Sequence, residues 1–201
     1  MAPTGSGSIE VLGCRVEPGM AVGELRTLRS RVGQVFQGLH LVSRLSALEN
    51  VLIGGLDRCH SLLTCARLFS SDEHDRAHAA LKAVGMEHAA QLRSDRLSGG
   101  ERQKVAVARA LNQEPELILA DEPTANLDPA AADEIALLLA ELAEERQVTL
   151  ITVVHTLQLL PNLAQRIIGM HSGRIAFDQP IGALDDKRMR LLYRREAKPG
   201  A

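Results

Sequence analysis

The sequence predicts an α/β domain whose mostly parallel sheet is covered by helices. Two observations carry this prediction. Short apolar, β-branched segments alternate with stretches of helical periodicity. The clearest of these segments, Leu117-Ile118-Leu119-Ala120, ends abruptly on Asp121 and Glu122, as a strand does where it opens into a ligand crevice. With 201 residues, 45% of them hydrophobic, the chain is long enough for one such core.

The elements follow in order. Strands are expected at 9–12, 33–36, 117–120, 148–154, 166–170 and 174–177, the last two joined by a hairpin turn at His171-Ser172-Gly173. Between Gly38 and Gln113 the character turns helical, with Ala77, Ala80, Leu81 and Val84 at the spacing of a buried stripe. This reads as a helical insertion into an α/β core. A further helix starts after Asp128, which caps it, with Pro129 at its first position and an apolar face of Ile135, Leu138, Leu139 and Leu142. The tail RREAKPGA reads as frayed.

Composition narrows the function. The net charge of -2 gives no positive field for nucleic acid or an anionic membrane. With no Trp and one Tyr, base-stacking platforms are disfavoured too, so no nucleic-acid partner is expected. Cys14, Cys59 and Cys65 are odd in number without CxxC spacing, which fits a reducing cytosol. No apolar run approaches a membrane span and MAPTGSGSIEV lacks signal-peptide character, so the expected location is intracellular.

Two motifs hold the chemistry. Asp121 offers a hard oxygen ligand to Mg²⁺, and Glu122 could polarise a water that attacks a phosphoryl group. Solvated acids opening a loop explain the pair as well. In LSGGERQKVAVARAL (97–111), Ser98 and Glu101 form an S-x-x-E capping box, and Gly99-Gly100 allows close backbone approach. The free N–H groups of that helix start suit a phosphate, with Arg102 and Lys104 adding positive potential. An ordinary capped helix remains the alternative.

Order and combination decide. VFQ at 35–37, LSGGERQ at 97–103, LILADEP at 117–123, ANLD at 125–128 and His155 after an apolar strand together resemble the ATP-binding subunit of an ABC transporter. The resemblance runs from about Ser8 to Tyr193. It implies a P-loop NTPase (RecA-like) core at 1–38 and 114–180, an ABC-type α-helical subdomain at 39–113 and a tail at 181–201. It also implies ATP and Mg²⁺ as cofactors. Gln37 would be the Q-loop glutamine near the metal and attacking water, Asp121 the magnesium carboxylate, Glu122 the base, and His155 a γ-phosphate contact. Ser98, Gly99 and Gly100 would meet ATP held by a second, head-to-tail subunit, and Asp128 would lie at that dimer interface. The further implied partners are transmembrane permease subunits and a solute-binding protein, with the ATPase peripheral on the inner membrane face.

Finer wording in VFQGLHLVSRLSALENVLIGGL and HSGRIAFDQPIGALDD looks most like phosphonate-import ATPases, although VVHTLQLL departs from their LHQ around the histidine. Lipoprotein-release and amino-acid-import subunits share much of this vocabulary. One departure is larger. The P-loop G-x-x-x-x-G-K-[ST] is missing: the lysines Lys82, Lys104, Lys187 and Lys198 all lack a preceding glycine, and TGSGS precedes a strand instead of a helix. Met1-Ala-Pro-Thr-Gly resembles the turn after the P-loop helix, so the expectation is a chain that starts past its first strands and P-loop and is inactive by itself. A non-hydrolytic half-partner offering its signature to an intact subunit is the second reading. A DNA-repair ATPase is a third, disfavoured because no long coiled coil or zinc insertion follows Gln37.

Overall fold

In the computed structural model, residues 7–58 and 69–185 are described, and the chain parts into two compact units, 1–155 and 156–201. The first unit opens with an antiparallel hairpin of β1 (Ile9–Val11) and β2 (Cys14–Val16). Its turn residues Leu12 and Gly13 both take positive φ, 51° and 74°, matching the twist of the strands they join. Helix α1 (Val22–Ser30) follows, burying only Leu28. Neither β2 nor α1 was among the expected elements.

The parallel sheet is built from β3 (Val32–Val35), β4 (Leu117–Asp121) and β5 (Thr149–Val153), in that spatial order. Each lies within two residues of its expected span. Leu117, Ile118 and Ala120 are buried in the central β4, the near-continuous apolar run that a covered parallel strand needs. The register aligns Val35 with Ala120, Ala120 with Thr152 and Asp121 with Val153, so all three carboxyl ends reach the same edge. Outermost in this sheet, β5 keeps Ile151 and Val153 more than half exposed.

Between β3 and β4 the chain forms α2 (Ala47–Gly54), α3 (Ser71–Ala83) and α4 (Gly99–Leu111), packed on one another. The expected stripe on α3 is buried: Ala77, Ala80, Leu81 and Val84 are all at most 3% exposed. Fully buried Asn50 organises the approach to α2 by accepting from Val42 N–H and donating to the carbonyls of Val42 and Ser46 and to Ser94 Oγ. Each of these bonds removes a polar group from what would otherwise be a costly orphan.

Helix α5 (Pro129–Glu145) starts as the sequence predicts, with Asp128 Oδ1 accepting from Ala131 N–H at 3.0 Å and Pro129 at the first position. Ile135, Leu139 and Leu142 are buried, each stabilising by about 1.5–3 kcal/mol. Leu138 is only half-buried; Ala132 and Ala136 complete the inward face in its place.

The second unit holds α6 (Leu160–Leu163) and a hairpin of β6 (Arg166–His171) and β7 (Arg174–Pro180). The turn is tighter than expected: Ser172 and Gly173 alone make it, at φ 49° and 74°. Cys59, Cys65, Leu62, Leu63, Leu68, residues 1–6 and the tail beyond Asp185 lie outside the described residues. Among the described residues no helix is long and apolar enough to cross a membrane.

Candidate functional site

The aligned ends of β3, β4 and β5 bring three of the expected residues together. Glu122, one residue past β4, is the centre: Gln37 Nε2 donates to its Oε2 at 3.1 Å, and His155 Nε2 lies 2.7 Å from its Oε1. A carboxylate oxygen accepts in such a contact, which is made with the proton of the imidazole on Nε2. Glu122 is about 29% exposed at its side chain and His155 about 76%, so the cluster faces solvent at the sheet edge.

The backbone fixes Glu122 as firmly as its neighbours do. Its φ of 46° is left-handed, which costs a non-glycine residue about 1–2 kcal/mol. Its N–H donates to Val153 O at 3.0 Å, extending the β4–β5 ladder, and its carbonyl accepts from Ala125 N–H at 3.1 Å, closing the turn. Strain held by surrounding bonds at a site of this kind is the usual sign of preorganisation.

Asp121 is exposed at the end of β4, and its side chain carries no hydrogen bond or ion pair to another described residue. Its oxygens are available to a hard cation. Among the described residues no group of three or more acidic, histidine or cysteine side chains could cage a metal. One carboxylate plus the Oε1 of Gln37, whose Nε2 is already engaged, is a donor set that fits Mg²⁺, which keeps several waters and takes substrate phosphate oxygens.

The signature residues form a separate locus. Ser98 caps α4: its Oγ accepts from Glu101 N–H at 3.3 Å while Glu101 Oε2 accepts from Ser98 N–H at 2.8 Å. Hydrogen bonding of its carboxyl with the Ser98 side chain first, and with the Ser98 backbone N–H second, holds Glu101 below the ordinary carboxylate range. Gly99 and Gly100 sit in the first turn, where their N–H groups have no intrahelical acceptor. A side chain at either would meet Leu127 or Ala131 at ordinary contact distance, so this helix start lies beside the loop that leads into α5. Lys104 does not add free charge there, because Glu134 of α5 engages its Nζ at 2.6 Å. No hydrogen bond between described residues joins Ser98, Gly99 or Gly100 to Gln37 or Glu122.

Sequence reasoning missed Arg109. From near the end of α4 it donates through Nη1 to His40 O and through Nη2 to Leu39 O, both at 2.7 Å. Leu39 and His40 are left-handed in succession, at φ 58° and 48°, two residues past Gln37. The available signal was a lone cation inside the apolar run VAVARAL, which requires a partner somewhere.

The family model described as ABC transporter matches residues 1–125, more than half of the chain. The chain belongs to the ABC transporter family. This cassette is similar to the phosphonates import ATP-binding protein PhnC 1 of Ruegeria sp. (strain TM1040), 42% identical over 94% of this chain and 73% of that protein. It is also 41% identical to the phosphate-import ATP-binding protein PhnC of Mycolicibacterium smegmatis, over 96% of this chain and 73% of the relative. Among solved structures, the ATP-binding cassette MJ0796, dimeric and bound to ADP and Pi, matches with a TM-score of 0.73 at 30% identity, over 88% of this chain and 74% of that one. The cassette cbiO1 from Clostridium perfringens matches at a TM-score of 0.76 and 29% identity, over 88% and 66%. The cassette therefore has the P-loop NTPase fold of ABC ATPases and is by family an ABC-type ATPase that couples ATP hydrolysis to transport.

Proposed function

We propose that this chain is the ATP-hydrolysing subunit of an importer of phosphonate or a similar small phosphorus oxoanion. The observation that carries the proposal is the clamp on Glu122 by Gln37 and His155 at the ends of three parallel strands. The names of the relatives support the solute class.

In this reading Glu122 takes the proton of a water as its oxygen attacks the γ-phosphorus, and the bond to the bridging oxygen of ADP breaks. Each Glu122 oxygen uses one lone pair on its clamp and keeps another for that proton. Gln37 and His155 orient the carboxylate and resist its rotation away from the water. Asp121 and the Gln37 amide oxygen would hold Mg²⁺, which neutralises charge on the phosphate oxygens. No hydrogen bond between described residues joins Ser98, Gly99 or Gly100 to Glu122 within one chain, and this supports a shared site in which a second subunit supplies them. Asp128, beside the Leu127 that approaches Gly99, is then a residue of the subunit contact.

A permease is the proposed membrane partner, holding the ATPase on the inner membrane face. The cleft of about 550 Å³ lined by Phe36, Ile53, Leu56, Arg26 and Arg29 supports docking near Gln37. The core and helical-subdomain boundaries at 38 and 113 belong to the same proposal. The test uses a fusion that carries a G-x-x-x-x-G-K-[ST] segment, with its strand and helix, ahead of residue 1. In it Glu122→Gln leaves ATP binding intact and lowers turnover by about 10²–10⁴-fold. Turnover equal to the unsubstituted fusion removes Glu122 from the role of base.

A further inference from the structure

The loop that carries Gln37 is held in a conformation its own residues disfavour. Leu39 and His40 both sit at positive φ, and neither is a glycine. Local bonds close the turn: Leu39 N–H donates to Phe36 O at 3.0 Å, and the His40 ring meets Phe36 edge to face at 5.0 Å. Such contacts do not by themselves select two successive left-handed residues.

What does select them comes from α4, the helix that begins at the signature. The Arg109 guanidinium is planar, with donors in a fixed fork, and here the fork spans two consecutive carbonyls. Successive carbonyls alternate in an extended strand and point the same way only in a turned backbone, so this bidentate grip requires the turned form of Leu39-His40 seen here. Arg109 has no carboxylate partner among the described residues, and burial pushes its guanidinium pKa down. A half-buried cation satisfied by backbone carbonyls alone is costly to leave without them. The Arg109 backbone is packed too: a side chain at Gly54, the last residue of α2, would collide with the Arg109 carbonyl oxygen. Its backbone thus lies against α2 while its guanidinium holds the loop.

We infer that Arg109 is the positioning residue that ties the signature helix to the Gln37 loop and so sets the Gln37 amide on Glu122. A displacement of α4 then pulls directly on the carbonyls of Leu39 and His40. The inference deepens the proposed function, since it assigns a residue that acts on the Glu122 clamp from outside it. Lysine cannot substitute: it keeps the charge but presents one compact ammonium in place of a two-pronged plane.

The test needs neither nucleotide nor turnover. Amide exchange and the Gln37 side-chain NH₂ resonances are followed by NMR in the 201-residue chain and in Arg109→Lys, Arg109→Met and Gly54→Ala. The expected result is exchange at Leu39 and His40 faster by about 10–100-fold in both Arg109 variants, with a shift of the Gln37 side-chain signals. Exchange at Val105 to Ala108 stays as it was. Gly54→Ala, which pushes on Arg109 from behind, moves the same signals while keeping the guanidinium. Unchanged signals at Leu39, His40 and Gln37 in a folded Arg109→Met or Arg109→Lys chain overturn the inference; so does exchange that accelerates equally throughout α4. Full turnover by the Glu122→Gln fusion overturns the functional reading instead and leaves this tether standing.

Discussion

His155 Nε2 and Glu122 Oε1 stand 2.7 Å apart, although the two residues come from different strands and the histidine is mostly in solvent. Exposed pairs of this kind add only about 0–1 kcal/mol to stability. Holding the carboxylate in one orientation is the better account of the contact, and it separates two measurements. His155→Ala should leave the thermal midpoint nearly unchanged and lower turnover of the P-loop fusion. Gln37→Ala acts on the other oxygen of the same carboxylate, so the double variant should depart from additivity by about 0.5–3 kcal/mol in transition-state energy. Strict additivity would show that the two side chains act independently.

The capping box gives a pH prediction. Because folding lowers the Glu101 carboxyl below its ordinary value of about 4.5, the unfolded chain takes up the proton first. The stabilisation is whole above that value and is lost as pH falls through the folded one. Protection of the Glu101 and Arg102 amides, which donate to Ser98, should therefore fall below pH 4.5 sooner than protection at the middle of α4. Ser98→Ala should lose about 0.5–2 kcal/mol and flatten this dependence. A dependence that survives the substitution would assign the protonation elsewhere.

A half-buried network holds the far end of α4. Arg58 pairs with Glu73 at 2.8 Å and also donates to Asn112 O, while Asn112 Nδ2 donates to Val51 O at 3.0 Å. Removing one member of a fully buried pair costs about 3–5 kcal/mol. With Arg58 24% and Glu73 11% exposed, Glu73→Ala should cost somewhat less than that, read from the denaturant midpoint. A loss under about 0.5 kcal/mol would show the pair to be solvated in solution.

The outer strand β5 sets solution behaviour. Ile151 and Val153 are 54% and 51% exposed on an edge whose outer backbone groups have no strand beside them among the described residues. Exposed apolar edges template pairing with other chains. The 201-residue chain should self-associate with rising concentration in light scattering, and Ile151→Lys should suppress it. Equal association by both chains would move the sticky surface elsewhere.

The legible parts of the sequence were those with a strong period or a side chain that caps. Strand β4 announced itself by an unbroken apolar run ending on acids, and α5 by Asp128-Pro129 followed by a 3.6-residue stripe. Helix α1 has neither signal: Ala21 offers no capping side chain, and one buried leucine makes no stripe. At three residues β2 is too short to show alternation, and only its turn with Gly13 marks it. Gln37, Glu122 and His155 were legible as separate motifs. The resemblance implied one shared site for them, but not their direct hydrogen bonds to one another, because these depend on the register of three strands far apart in the chain.

That register also acts as a gauge of length. Neighbouring strands stand about 4.8 Å apart, so the flanking β3 and β5 leave Gln37 and His155 to span a fixed gap toward Glu122 from either side. Side chains with fewer carbons fall short of it. Gln37→Asn and Glu122→Asp preserve every functional group, yet each removes a methylene from a distance the sheet does not adjust. The sheet thus selects for reach as well as for chemistry, which leaves little room for shorter homologous side chains at these positions.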